Sequence, residues 1–164
     1  MLIALSVCAG GAGAKDVLSP AVGTIPNGSA PRPPRPPMTA QELDALASAP
    51  QVLRMAVGFA ALEMPVADLP AVSFDRYGPR GMIYLTLPDR KAARFYALTA
   101  GHVGKVLQVT LCGILINAPK IMSPISGGRV QLLLDTYEEA RITTEVLSGR
   151  DGCAALAGLS SRVD

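Results

Sequence analysis

Five short apolar runs bounded by turn-forming residues limit what this chain can build. They are QVLRMAV (51–57), MIYLTL (82–87), VLQVTL (106–111), ILINA (114–118) and RVQLLL (129–134). Each is too short for a buried helix and suits a strand. QVLRMAV alternates, with Leu53, Met55 and Val57 on one face and Val52, Arg54 and Ala56 on the other, the pattern of a strand buried on one side. Two helices accompany these runs. In the first, Asp89 is placed to cap, Ala92, Phe95, Tyr96, Thr99 and Val103 recur at helical spacing, and Gly101 or Gly104 ends it. In the second, 136–148, Thr136 and Glu139 make a capping box, Tyr137, Ala140 and Leu147 form an apolar face, and Gly149 ends it. The order strand, strand, helix, strand, strand, strand, helix predicts an α+β fold. We expect a ferredoxin-like sandwich, a mainly antiparallel sheet with two helices on one face.

The segments between these runs are read from their local chemistry. Thr39 and Glu42 form another capping box, so a short helix is expected over 40–48, ended by Pro50. Residues 58–80, with Pro65, Pro70, Gly78 and Pro79, read as irregular apart from a short strand near 72–74. Cys112-Gly113 joins two strands, and a two-residue hairpin loop of this kind requires positive φ at both positions, which is uncomfortable for cysteine. APKIMSPISGG (118–128) is the least ordinary stretch. Pro119 and Pro124 fix the backbone, Gly127-Gly128 permit conformations closed to other residues, and Ile121, Met122 and Ile125 are apolar. Those side chains either plug the core beneath the loop or make an apolar contact patch on it.

The 164 residues suit one domain with tails. Residues 1–14 read as a signal peptide: an apolar run at 2–9, without a preceding Lys or Arg, then Ala12-Gly13-Ala14 with the small-x-small form of a cleavage site. Cys8 is a weaker candidate for a lipid anchor. Residues 15–38 form a Pro-rich linker in which PRPPRPP (31–37) stays extended as a spacer. Residues 39–50 hold the short helix, 51–148 the main domain and 149–164 a tail. The implied compartment is periplasmic. In it, Cys112 and Cys153 either pair as a disulfide or remain two thiols, since spacing does not decide the geometry. A net charge of +2, with only Arg90, Lys91 and Arg94 locally concentrated, argues against a nucleic-acid partner. A single histidine and the absence of Cys-x-x-Cys spacing give no metal site, and no cofactor motif is present.

From Thr99 to Leu147 the motifs fall in an order that resembles the head part of the first periplasmic domain of SecD, from the SecD/SecF protein-export complex. That family shows T-x-x-N-[VI]-G-K, a strand ending Asp-Gly, a Ser-Ala-Pro-x-Ile segment, an Ile followed by Gly-Gly, a Gln-Ile strand and Thr-x-Glu-Glu-Ala. Thr99, Val103, Gly104, Lys105, Gly113, Ala118, Pro119, Ile121, Ile125, Gly127, Gly128, Gln131, Glu138, Glu139 and Ala140 match as they stand. QVLRMAV is similar to the strand that opens the head, so the resemblance covers about residues 51–148. His102, Cys112, Asn117 and Leu134 depart from the pattern. SecD also has membrane-spanning helices, whereas no apolar stretch here reaches the roughly 18 residues a span needs.

The resemblance implies a head module standing by itself, without the transmembrane region. Such a module binds polypeptide during or after Sec-dependent export and is not an enzyme. Its expected contact or motif residues are Gly104, Lys105, Pro119, Ile121, Pro124, Ile125, Gly127 and Gly128, meeting a polypeptide chain or a Sec or envelope protein at the loop and the adjacent strand edge. The alternative is a structural or regulatory envelope protein that kept the fold without the export role. Hydrolase chemistry is the weakest reading: His102, Ser123, Ser126, Asp135, Glu138 and Glu139 fall in no nucleophile-elbow or triad motif.

Overall fold

A computed structural model describes residues 37–159. The expectations for the signal peptide, Cys8, most of the Pro-rich linker and the end of the tail therefore lie outside the described residues. The described chain is α+β with antiparallel pairing, as expected, and its strands divide into two sheets. Helix α1 is Ala40–Ala47, followed by β1 (Val52–Val57), β2 (Ala60–Pro65), a 3-10 turn (Val66–Asp68), β3 (Ala71–Tyr77) and β4 (Arg80–Thr86). Then come α2 (Asp89–Ala100), β5 (Gln108–Leu111), β6 (Ile114–Asn117), β7 (Arg129–Leu134), α3 (Tyr137–Leu147) and a 3-10 helix, Cys153–Leu159. The four-stranded sheet has the order β2-β1-β5-β6 and the three-stranded sheet β3-β4-β7. Helix α3 covers the three-stranded sheet, α2 lies against β2, and the 3-10 helix packs on α1 and α3.

One apolar core joins the layers. Leu53, Met55, Ile83, Leu85, Phe95, Leu107 and Leu132 all belong to it. Both capping boxes form. Thr39 Oγ1 accepts from Glu42 N at 3.3 Å and Glu42 Oε2 accepts from Thr39 N at 2.7 Å, and these bonds to Thr39 hold the Glu42 carboxyl below its usual range. Thr136 and Glu139 repeat the pattern at α3. Arg54 of β1 pairs with Glu63 of β2, its cross-strand partner, at 2.9 Å.

Three local expectations need correction. Residues 58–80 are mostly strand. In AALEMP, Leu62 and Met64 are buried between exposed neighbours, and Gly78-Pro79 make the β3–β4 turn, so the breakers mark strand ends and not an absence of strands. Asp89 does not cap α2: Pro88 takes the cap position without a side-chain bond, and Asp89 sits inside the first turn, where its charge suits the helix dipole. Only part of the expected α2 face is buried. Phe95 and Thr99 are, whereas Tyr96 and Val103 are exposed. Tyr96 is one residue around the helix from Phe95, and Val103 lies beyond the cap at Gly101.

Candidate functional site

The 118–128 segment is locked to its surroundings by backbone. Leu107 N donates to Pro119 O at 2.8 Å, Ile121 N to Lys105 O at 2.8 Å, and Gly104 N to Ile121 O at 2.7 Å. Val106 and Lys120 make an isolated antiparallel bridge, so the β5–β6 hairpin continues past its named strands. Further on, Ile125 N donates to Thr99 Oγ1 at 3.0 Å, while that hydroxyl donates to Phe95 O at 3.0 Å. Thr99 thus ties the segment to the end of α2. The sequence placed Thr99 on a core face and at the head of the T-x-x-N-[VI]-G-K resemblance; its role as a loop anchor depends on tertiary contact.

Of the two readings open for Ile121, Met122 and Ile125, the core plug holds for both isoleucines. Ile121 and Ile125 are 1% and 2% exposed and belong to the core, because the bonds above turn them inward. Met122 is the member that reaches solvent, at 57%. Pro119 is buried, and Gly104, Lys105 and Pro124 are exposed. Gly127 and Gly128 both have positive φ, +76° and +66°, but they differ in surroundings. A Cβ on Gly127 meets nothing, whereas one on Gly128 would lie 2.7 Å from Ala92 Cβ and 3.3 Å from Leu87 O. Gly128 O also accepts from Leu87 N at 2.8 Å. Gly127→Ala is therefore expected to cost about 1 kcal/mol from backbone strain alone, and Gly128→Ala about 3 kcal/mol with overpacking added. Paired urea unfolding curves check the difference.

The strand edges beside this loop are engaged. Asn117, 4% exposed, donates from Nδ2 to Leu133 O of β7 at 2.9 Å and accepts from Ala118 N at 2.8 Å, bridging the two sheets. On the far edge of the four-stranded sheet, Lys91 Nζ donates to Glu63 O of β2 at 2.6 Å. The outer edge of the three-stranded sheet is different. β3 pairs only with β4, and among the described residues no strand pairs with its other side. This strand is backed on one face by α3. Phe74 packs on Tyr137 of α3 with ring centroids 5.4 Å apart, and the Arg76 guanidinium stands 4.6 Å from the same ring. Ser73, Asp75 and Tyr77, which alternate with them, are exposed.

His102 and Glu138, singled out in the sequence, have structural partners, whereas Ser123 and Ser126 are exposed on the 118–128 segment. His102 Nδ1 lies 2.8 Å from Leu98 O. Glu138 takes two bonds from Arg141, at 2.9 and 2.8 Å, and Arg141 also donates to Glu145 at 2.7 Å. At the opposite end of the β5–β6 hairpin, Cys112 and Cys153 form a disulfide with Cα atoms 5.9 Å apart. Cys112 and Gly113 have φ of +52° and +79°, the double left-handed turn that the loop length demands.

No protein-family model matches this sequence, and no curated protein matches it. Among solved structures, one of SecDF, described as a membrane component that enhances protein export, aligns over 69% of this chain and 70% of its own at 23% identity with a TM-score of 0.48. A second, SecDF in its super-membrane-facing form, aligns over 68% of this chain at 22% identity with a TM-score of 0.51. The present chain spans only 21% of that longer protein. The likeness is one of fold: most of this chain folds as part of SecDF does.

Proposed function

We propose that this protein is a non-enzymatic, periplasmic SecD-head-like module that takes up extended polypeptide during or after protein export. The polypeptide adds as a further strand to the outer edge of β3. The observation that carries this reading is that edge itself, a strand of seven residues backed by Tyr137 and, among the described residues, paired with no strand on its other side. Strand addition draws its affinity from backbone groups, so it accepts many sequences and needs no catalytic side chain. The likeness in fold to SecDF supports export as the setting. Within this reading the 118–128 segment, with Gly104 and Lys105, acts mainly as the brace that joins the sheets, and Met122 and Pro124 are its apolar side chains that reach solvent.

The test is photo-crosslinking in cells with a crosslinking residue at Ser73, at Met122, or at Arg150 as a control on the exposed surface. Adducts with newly exported chains or Sec components from position 73 are expected. Adducts from position 122 alone would move the contact to the loop. A folded, periplasmic protein that gives no adduct from either position would refute polypeptide uptake.

A further inference from the structure

The register of the four-stranded sheet gathers exposed apolar side chains at one end. Val57 pairs with Ala60, so Gly58-Phe59 is the β1–β2 turn. Ala56 pairs with Gln108 of β5, which puts that turn beside Val106. Val106 bridges Lys120, and Gly104 N bonds to Ile121 O. Phe59, Val103, Val106 and Met122 are therefore neighbours in the fold, although they are spread over three segments of the chain. Their exposures are 109%, 50%, 51% and 57%. Phe59 projects fully from its turn.

The charge at this end has one sign. Between Asp89 and Asp135 the sequence contains no acidic residue, and none occurs from Val52 to Leu62. Lys105 and Lys120 are exposed within the apolar group, and no ion pair among the described residues engages them. Apolar tips on turns, interleaved with unpaired lysines, suit a soft anionic surface better than a rigid partner. Apolar side chains gain by entering the acyl boundary, an aromatic ring prefers the interface, and lysines meet anionic headgroups. We infer that this end of the four-stranded sheet docks on an anionic lipid surface, with Phe59 as the inserted side chain. The inference is independent of polypeptide uptake at β3, which lies on the other sheet.

The experiment is sedimentation of the full chain with vesicles of equal parts phosphatidylglycerol and phosphatidylcholine, beside vesicles of phosphatidylcholine alone. Retention by the anionic vesicles, weakened by added salt, is expected. Phe59→Ser should weaken it about tenfold through the lost apolar insertion. Lys105→Glu with Lys120→Glu should reduce it to the level of the neutral vesicles. All three side chains are exposed, so folding should be retained, as circular dichroism will show. Leu43→Ser, at an exposed position of α1 beyond the opposite end of β1, should leave binding unchanged. Equal retention by both vesicles, or retention indifferent to the Phe59 and lysine changes, would overturn the inference. So would a result in which the same changes abolish binding of a soluble unfolded polypeptide while the vesicles retain nothing; the surface would then be a peptide site.

Discussion

Replacing both Cys112 and Cys153 with alanine is expected to lower stability by about 4 kcal/mol, close to the loop-entropy value for a bridge of this span. The two residues are 41 positions apart, and the bond ties the 3-10 helix Cys153–Leu159 to the β5–β6 turn. That helix also packs on α1 and α3 with Leu156 in the core, and two hydrogen bonds support the joint: Gln51 Nε2 donates to Asp151 O at 2.6 Å, and Cys112 N to Val52 O at 3.1 Å. A loss of that size corresponds to a fall in melting temperature of about 12 °C. Cys112 also carries the strain of a left-handed backbone, at φ +52°. The pair Cys112→Gly with Cys153→Ala should therefore recover about 1 kcal/mol relative to the double alanine variant. Thermal unfolding of the three proteins separates the crosslink from the turn. A double alanine variant as stable as the parent would mean that the bridge does not constrain the unfolded chain.

Gly81→Val is expected to cost about 3 kcal/mol or more, since overpacking here meets backbone and not a movable side chain. The glycine lies where α3 crosses β4. A Cβ there would run into Ala140 Cβ and would come within 3.1 Å of Thr136 O and 3.2 Å of Tyr137 Cα. Relief requires α3 to lift from the sheet. That also withdraws Tyr137 from Phe74 and Arg76, so the β3 edge should loosen and any polypeptide uptake should fall with stability. Gly152→Ala is the control, because an added Cβ there meets nothing; it should stay within about 0.5 kcal/mol of the parent. Urea unfolding with matched m-values would show both effects.

What the sequence revealed divides along physical lines. Short-range chemistry was legible. The Thr39–Glu42 and Thr136–Glu139 boxes form as read, because a capping box depends on residues three apart. The demand for two positive φ values at Cys112-Gly113 is met for the same reason. β1 and β7 were legible from apolar patterning against a core. β3 was seen only in part, because Val72 and Phe74 alternate with exposed Ser73 and Asp75 but Arg76 and Tyr77 both stand in water, so the alternation that marks a half-buried strand stops before the strand does. In the 118–128 segment the sequence left two readings open for Ile121 and Ile125. Burial decides between them, and it rests on partners distant in sequence, Gly104 and Lys105 for Ile121 and the Thr99 hydroxyl for Ile125. The candidate uptake site was not legible at all, since an open edge is defined by which strands fail to pair. The Phe59 end was hidden likewise, because only register brings its three segments together.

The most direct test of the account follows backbone amide exchange across β3 in the folded chain, with and without a reduced, unfolded polypeptide. Strand addition predicts that outward-facing amides of Ala71–Tyr77 exchange fast in the free protein and slow on binding, while those of β1 and β5 stay unchanged. Protection confined to residues 118–128, or no change in β3 when polypeptide is bound, would contradict uptake at this edge.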